Sequence, residues 1–239
     1  MKKTCIVLTV AITFLPTLVM AEAGDVVVRL RTTRITPNEH SRLGSKTNQT
    51  YGTAIAQTLY GSNAAELKVD NNTIPEFDIS YYITKNIAAE LILALGTKHD
   101  VSVSGIGGVL TKRGLGEINL LPPTLTLQWH FNPDQTFDPY IGAGISYVRA
   151  MDNSLTASTI VGERSIRIDR DQWGSAFQAG IDINLSKKWL VNFDVKKIWF
   201  DTNVKLDTMG ALGTPSGYKK IDNLDIDPWI MSIGIGKKF

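Results

Sequence analysis

Apolar and small side chains alternate along the last stretch of the chain, residues 223–239, up to the final residue. Counting back from Phe239 in steps of two gives mostly large apolar residues, whereas the positions between them are mostly small. Successive side chains of a strand point to opposite faces, so this pattern predicts a strand with one apolar face. In a soluble sandwich that face would point inward. In a bacterial outer-membrane barrel it would point to lipid, and a strand ending on an aromatic residue favours the barrel.

The same alternation recurs in seven earlier segments, which gives eight predicted strands in one domain. They are residues 25–34, 74–84, 87–97, 117–131, 138–151, 172–185 and 189–205, followed by the closing strand. Long connections at 35–73, 98–116, 152–171 and 206–221 alternate with short turns. Bacterial barrels have short periplasmic turns and longer outer loops, whereas a soluble sandwich has no reason to sort its loops by length. The sequence therefore predicts an all-β fold, an eight-stranded antiparallel transmembrane β-barrel with four long extracellular loops.

The first residues predict a secretory signal peptide. Two lysines precede an apolar run over residues 6–20, and small residues follow at Ala21 and Ala23. We expect cleavage after Ala21, with Ala23 as the alternative, so that residues 1–21 are the signal peptide and 22–239 form a single outer-membrane barrel domain. An uncleaved anchor helix is the other interpretation, but the apolar run is short and interrupted for a span that needs roughly 20 residues.

Charge and cysteine content narrow the function classes. The chain has 25 Lys and Arg against 23 Asp and Glu, and two of the lysines leave with the signal peptide, so the exported part is neutral before histidines are counted. Nucleic-acid binding would need a clustered basic excess, and we expect no nucleic-acid partner. The only cysteine, Cys5, also leaves with the signal peptide. Stability must then come from burial and hydrogen bonding, which a closed barrel provides by pairing every strand.

Aromatic spacing supports two membrane girdles. Trp189 and Trp199 are ten residues apart on one face, and Trp229 and Phe239 repeat this interval. Ten residues at about 3.3 Å each, tilted by roughly 40°, span about 25 Å, the height of the apolar band of a barrel. Ordinary core aromatics are the alternative. The predicted girdle comprises Trp129, Phe131, Trp189 and Phe239 towards the periplasm and Tyr147, Trp173, Trp199 and Trp229 at the outer rim.

Inward positions in the lower half of the predicted barrel collect charges of both signs. An eight-stranded barrel has an interior just wide enough for side chains or one small ligand, so these charges should pair and close it. The pairing would either only close the barrel or also take part in transport. The predicted lumen plug comprises Arg29, Arg31, Asp78, Glu90, His130, Asp182, Asp194 and Lys196.

Nearer the outer end the inward positions become apolar, which predicts a pocket that is open above and sealed below. Its predicted lining is Tyr82, Ile92, Ile198, Phe200 and Ile230. A molecule in it would have to leave sideways. Pro122 and Pro123 cannot donate to a strand ladder, so we expect a lateral exit at an unpaired gap beside them. A bulge that only bends the strand is the alternative.

Several stretches together resemble the outer membrane protein W (OmpW) family. They are residues 121–125 leading to 128–131, residues 139–144, and residues 226–229 leading to Phe239. The resemblance covers essentially the whole mature chain, although Lys237 stands where closing strands more often carry an aromatic residue. It implies a small outer-membrane barrel associated with passage of small hydrophobic molecules, and sometimes with phage or bacteriocin binding to the loops.

No enzymatic pattern is found. His40, His99 and His130 lack metal-ligand spacing, and no nucleophile, base and orienting group are brought together, so we expect neither an enzyme nor a metal or other cofactor. Two hypotheses remain: a passive uptake channel for small hydrophobic molecules, and a structural or adhesive barrel whose extracellular loops bind partners. The expected partners are outer-membrane lipid, small hydrophobic solutes and, through the C-terminal strand, the barrel assembly machinery.

Overall fold

The computed structural model describes residues 22–94, 96–104, 107–160, 162–209 and 215–239. The predicted signal peptide, residues 1–21, lies outside them. The helices are α1 (Leu43–Tyr51) and α2 (Ile55–Tyr60). The strands are β1 (Val26–Thr36), β2 (Leu67–Val69), β3 (Asn72–Tyr82), β4 (Ile87–Ala94), β5 (Thr97–Val103), β6 (Gly114–Leu121), β7 (Thr124–His130), β8 (Phe137–Asp152), β9 (Ser154–Thr159), β10 (Gly162–Ile168), β11 (Asp171–Asn184), β12 (Trp189–Trp199), β13 (Asp201–Met209), β14 (Pro215–Asp225) and β15 (Trp229–Lys238).

Eight of these strands close into an antiparallel barrel, which confirms the predicted fold. Their order around the barrel is β11, β12, β15, β1, β3, β4, β7 and β8, and β8 pairs back onto β11. Closure gives each of the eight strands a partner on both sides, the condition for crossing a bilayer with strands. The closing strand β15 is paired on both sides, with β1 and with β12. Its recognition by the barrel assembly machinery stays a prediction.

The alternation along each strand is inverted relative to a soluble protein. In β7 the inward Gln128 is 1 % exposed, whereas the apolar neighbours Leu127 and Trp129 on the outer surface are 54 % and 49 % exposed. A soluble sandwich would bury those apolar side chains and expose the amide. This arrangement therefore excludes the soluble interpretation and gives the barrel a lipid-facing apolar wall around a polar interior.

The predicted girdle aromatics point outward from the barrel. Trp129 and Trp189 lie beside short turns, which we take as the lower, periplasmic end, and Trp199 and Trp229 lie at the opposite, outer end. Tyr147 and Trp173 face each other across β8 and β11 with ring centroids 4.9 Å apart. Their contact with the membrane interfaces stays a prediction.

The long connections were predicted as polar loops, and this is wrong for much of their length. They form an outer cap above the barrel, consisting of α1, α2, the strands β2, β5 and β6, and a separate four-stranded sheet in the order β14, β13, β10 and β9. Scattered apolar residues such as Leu43, Leu67 and Leu110 are buried there and share one apolar core with the upper barrel. Among the described residues, no helix is long and apolar enough to cross a membrane.

Two predicted strands are interrupted where the barrel meets the outer cap. The segment predicted at 117–131 is split into β6 and β7 by Pro122 and Pro123. The segment predicted at 189–205 is split into β12 and β13 at Phe200, whose backbone N–H donates to Asp227 Oδ1 at 3.1 Å. Alternation alone could not indicate either break, because the residues on each side keep strand-like patterns.

One carboxylate ties the first long connection to the outer sheet. Asp222 on β14 accepts a hydrogen bond from Ser41 Oγ at 2.5 Å and another from the Arg42 backbone N–H at 3.2 Å. Burial raises the pKa of Asp222 above the ordinary aspartate value, although these hydrogen bonds act in the opposite direction. The contact holds α1 and its preceding turn over the barrel mouth.

Candidate functional site

Arg29 and Arg31, at successive inward positions of β1, form the centre of an ion-pair network inside the barrel. Arg29 Nη2 lies 2.6 Å from Asp182 Oδ2, and its Nη1 lies 3.2 Å from Asp78 Oδ1. Arg31 Nε lies 2.7 Å from Asp78 Oδ2, and Arg31 also pairs with Glu90. All five side chains are nearly or completely excluded from solvent. Buried charges of opposite sign must pair in this way because desolvation of an isolated charge is costly.

Glu90 joins four strands of the barrel. Besides both arginines, its Oε2 accepts hydrogen bonds from Gln128 Nε2 at 2.8 Å and Gln178 Nε2 at 2.9 Å. Lys196 Nζ lies 3.7 Å from Asp194 Oδ1 and 3.8 Å from Glu76 Oε2. Strands β1, β3, β4, β7, β11 and β12 are thus connected through the lumen, not only through their backbone ladders.

The lower end of the lumen contains His130 and two tyrosines. His130 Nδ1 is 2.7 Å from Asp138 Oδ2, and Tyr82 Oη is 3.3 Å from the same ring nitrogen. Tyr140 donates to Asp194 Oδ2 at 2.8 Å. The prediction that Tyr82 lines the upper pocket is wrong, because β3 runs towards the periplasm and ends there. Tyr82 instead packs with Val27 and other buried residues at the lower end.

Three potential metal ligands do meet in the lumen, which the sequence spacing did not indicate. Ligand atoms of His130, Asp138 and Asp182 all lie within 4.8 Å of one another. However, Asp182 is already held by Arg29 at 2.6 Å and by Asn192 Nδ2 at 2.7 Å. Both oxygens of Asp182 are thus already bonded, one of them to a cationic guanidinium. The geometry is therefore that of an ion-pair network and not of a metal site.

Glycines make room for the large plug side chains. A Cβ at Gly180 would lie 2.4 Å from Tyr140 Cζ and 2.6 Å from the Phe193 carbonyl oxygen. A Cβ at Gly236 would lie 3.0 Å from Arg29 Cγ. An eight-stranded barrel can therefore hold two arginines and a tyrosine across its lumen because their neighbours have no side chain.

We expect Gly180→Val to lower the free energy of unfolding by about 1–3 kcal/mol, the usual cost of overpacking a close-packed interior. The added methyl groups must displace the Tyr140 ring or the backbone of β12. Urea unfolding of the protein folded into lipid vesicles measures the change. Ala179→Val is the matched control, because Ala179 is the adjacent residue and faces lipid. Equal stability of the two variants would contradict the packing role of Gly180.

All eight predicted plug residues are brought together, and further inward residues outside the predicted plug complete the network. Glu76, Asp138 and Tyr140 have the same inward parity as the predicted residues and are also buried. Parity could have identified them. Which partner each charge contacts could not be predicted, because the contacts cross strands that are far apart in the chain.

Above the plug the lumen becomes apolar and contains a cavity of about 40 Å³. We call it the upper pocket. Of the residues predicted to form a substrate pocket, Ile198, Phe200 and Ile230 line this cavity, whereas Ile92 is buried but is not part of its lining. Its binding of a substrate stays a prediction. Pro122 also lines the upper pocket, together with Ile35, Pro37, Val69, Thr97, His99, Leu120, Val148, Ile226 and Pro228.

The barrel wall beside Pro122 lacks a continuous ladder. Strand β4 pairs with β7 as far as Ile92 and Thr124, and the next pair joins Thr97 on β5 to Leu120 on β6. No pair joins the two sides between these points within the described part of the chain. Residues 93, 94 and 96 lie on one side there and residues 121–123 on the other, and Gly96 has a φ of +65°. We call this stretch the wall gap.

The other side of the proline pair is intact. Leu121 pairs with Arg149 and Thr124 with Ser146 in one register, and the Tyr147 N–H donates to the Pro123 carbonyl at 2.9 Å. The strand therefore stays attached to β8 while it separates from β4. Successive residues of a strand direct their backbone groups to opposite neighbours, so Pro123 faces β8 and Pro122 faces the β4 side. Pro123 still accepts through its carbonyl, whereas Pro122 has no N–H to donate towards β4.

Two larger depressions lie on the lipid-facing surface and are not part of the lumen. One, of about 710 Å³, is lined by outward residues including Phe193 and Met231, and the other, of about 460 Å³, by Leu127 and Phe177. Acyl chains would cover these surfaces in a membrane. The internal candidate site is therefore the upper pocket with the plug below it and the wall gap beside it.

Comparison with known proteins identifies the family. The model of the OmpW family matches residues 22–239. The chain is 41% identical over 182 residues to the uncharacterized outer-membrane protein y4mB of Sinorhizobium fredii, covering 76% of this chain and 72% of that protein. It is 31% identical to outer membrane protein W of Vibrio cholerae, covering 91% and 90%.

Solved structures agree with this relationship. The crystal structure of the outer membrane protein OprG from Pseudomonas aeruginosa superimposes with a TM-score of 0.74 at 27% identity, covering 93% of this chain and 99% of that one. Its fold, like that of this chain, is an outer-membrane barrel. The family model covers all of the barrel and the outer cap, and so this chain belongs to the OmpW family of bacterial outer-membrane proteins.

Proposed function

We propose that this outer-membrane barrel is a passive uptake channel for small hydrophobic molecules, which enter the upper pocket from outside and leave sideways through the wall gap. One observation carries the proposal: Pro122 both lines the upper pocket and borders the wall gap. An apolar molecule in the pocket is therefore next to the only part of the β4 to β7 wall where, within the described residues, the ladder is interrupted.

The plug makes an axial route unfavourable. Arg29, Arg31 and Glu90 cross the lumen directly below the pocket and are bound to one another and to further polar groups. A hydrocarbon on this path would separate buried ion pairs without replacing their contacts. Each buried charge left without its partner costs several kcal/mol. The sideways route instead leads from an apolar pocket to the outer rim of the barrel wall, at the height of Tyr147, where an apolar molecule can pass into the hydrocarbon of the bilayer.

A relative's name supports a hydrophobic substrate. The chain is 30% identical over 170 residues to the dibenzothiophene metabolism operon protein PahQ of Pseudomonas aeruginosa, covering 71% of this chain and 72% of that protein. Dibenzothiophene is an uncharged polycyclic aromatic compound. The family and fold are those of outer-membrane barrels and not of an enzyme family.

The size of the upper pocket favours a second candidate function. A volume of about 40 Å³ is far below the 300–1,000 Å³ of typical ligand pockets. Uptake therefore requires side chains such as Phe200 to move. If they do not, the chain is a structural or adhesive barrel whose ordered outer cap binds partners, including phage or bacteriocins.

Filling the pocket distinguishes the two functions. We expect Ile230→Trp to reduce uptake of toluene into lipid vesicles containing the folded protein at least fivefold, because the larger ring occupies the pocket. Ile233→Trp is the matched control on the same strand, where residue 233 faces lipid, and it should transport normally. Unchanged uptake in a folded Ile230→Trp barrel would favour the adhesive function.

A further inference from the structure

A second apolar cavity lies in the outer cap, well above the upper pocket. It has a volume of about 170 Å³ and is bounded by α2, the segment 107–110 and the strands β9, β10 and β13. We call it the outer cavity. Its lining is mostly aliphatic and consists of Leu59, Tyr60, Val109, Leu110, Ala157, Thr159, Arg164, Ile166 and Leu206.

The polar groups of the outer cavity are engaged with protein partners. Tyr60 Oη lies 3.3 Å from Thr47 Oγ1, and Thr159 Oγ1 donates to the Gly162 carbonyl at 2.5 Å. Arg164 Nε donates to Asp207 Oδ1 at 2.7 Å, and Arg164 also donates to the Asp207 carbonyl. What remains for a ligand is mostly aliphatic surface, with Arg164 as the one charged residue of the lining that the structure describes.

The walls of the outer cavity are fixed by backbone hydrogen bonds. The N–H groups of Val109 and Leu110 donate to the carbonyls of Thr58 and Leu59 at 2.8 and 3.1 Å. This close approach requires Gly108, since a Cβ there would lie 1.9 Å from the Thr58 carbonyl oxygen. These bonds fix α2 against the segment 107–110, which together form one side of the outer cavity.

Its volume selects a class of ligand. An apolar cavity of about 150 Å³ lined by Leu, Ile and Phe binds benzene, and water would need two to four polar partners to be stable in such a place. At about 170 Å³ the outer cavity fits one aromatic ring. Its aliphatic lining resembles that of apolar cavities in other proteins that bind benzene. A cation in the lining, here Arg164, attracts an aromatic ring more than an alkane.

We propose that the outer cavity is a binding site for a small uncharged aromatic molecule. Residues of its wall, including Leu110, Ala157 and Ile166, belong to the same buried apolar core as Phe200 and Ile230 of the upper pocket. That solutes bind in the outer cavity before they reach the upper pocket rests on the proposed function. The binding itself does not.

Benzene titration of the full-length folded protein in detergent micelles, with methyl-labelled Ala, Ile and Leu, tests this site. We expect saturable shifts of the Leu110, Ala157 and Ile166 methyl signals. Ala157→Phe fills the cavity and should weaken benzene binding there at least tenfold. Ala143→Phe, the same change at a lipid-facing position, should leave binding unchanged. Ala157→Leu replaces the phenylalanine variant if the latter does not show the gel mobility of a folded barrel.

The outcomes separate this site from the proposed function. Shifts that do not saturate, or that persist unchanged in both Ala157 variants, report partition into the micelle and overturn the outer site. Signals of Ile198 and Ile230 in the same titration report the upper pocket independently. If only these respond, the outer site is wrong and the uptake proposal stands. If Ile230→Trp leaves uptake unchanged while Ala157→Phe still abolishes binding, the uptake proposal is wrong and the outer site stands.

Discussion

Glu90→Ala is expected to lower the free energy of unfolding by about 3–5 kcal/mol, the range for removing one partner of a buried ion pair. Glu90 is fully buried and contacts both lumen arginines, Gln128 and Gln178. Its loss leaves the guanidinium groups short of a counter-charge and the amide N–H groups short of an acceptor. Urea unfolding in lipid vesicles measures the change.

A loosened plug should also conduct ions. We expect single-channel recordings of Glu90→Ala to show larger or more frequent openings, because the side chain that bridges four strands is missing. Glu90→Gln keeps the size of the side chain and one acceptor but not the charge. Its free energy of unfolding should therefore lie between that of the alanine variant and that of the wild type. Wild-type stability and conductance in both variants would contradict a plug held together by charge pairing.

An exposed ion pair provides the matched control for Glu90. Glu117 on β6 lies 2.9 Å from Lys98 Nζ, and the two side chains are 48 % and 60 % exposed. Water already solvates both groups, so Glu117→Ala should cost less than about 1 kcal/mol. The same chemical change thus separates the effect of burial from that of losing a carboxylate.

Replacing Pro122 and Pro123 together by valine should reduce uptake of a small hydrophobic molecule at least tenfold. Valine at position 122 restores the backbone N–H on the β4 side, and both valines favour extended backbone, so the ladder between β4 and β7 can continue across the wall gap. The register with β8 is already continuous on the other side and needs no change. Uptake of toluene into vesicles, compared with wild type at equal amounts of folded protein, measures the effect.

Another proline of the barrel wall, Pro139, provides the matched control. Pro139 is paired with Ile181 on the lower part of β8, far from the wall gap. Pro139→Val should therefore transport like wild type. Assembly is checked by the faster migration of unboiled samples on a denaturing gel. If the folded double valine variant takes up toluene at the wild-type rate, solutes do not leave beside Pro122.

The sequence determined which way each side chain of the barrel points. A two-residue period is a local property of a strand, so inward charges such as Arg29 and Asp194 could be separated from outward aromatics such as Trp189 without knowing which strands are neighbours. The same local pattern, with the sorting of loop lengths, predicted eight strands and their orientation in the membrane. Shifting a strand by one residue against its neighbours would turn all of its inward charges towards lipid. The folded barrel therefore keeps the inward and outward positions that the alternation predicts.

Only the tertiary structure decided which inward groups meet and at what height. Arg29 and Asp182 are 153 residues apart in the chain and 2.6 Å apart in the lumen, a contact set by barrel register and tilt. Tertiary packing also folded the polar connections over an apolar outer cavity. These features depend on pairing between distant strands, for which one strand's alternation carries no information.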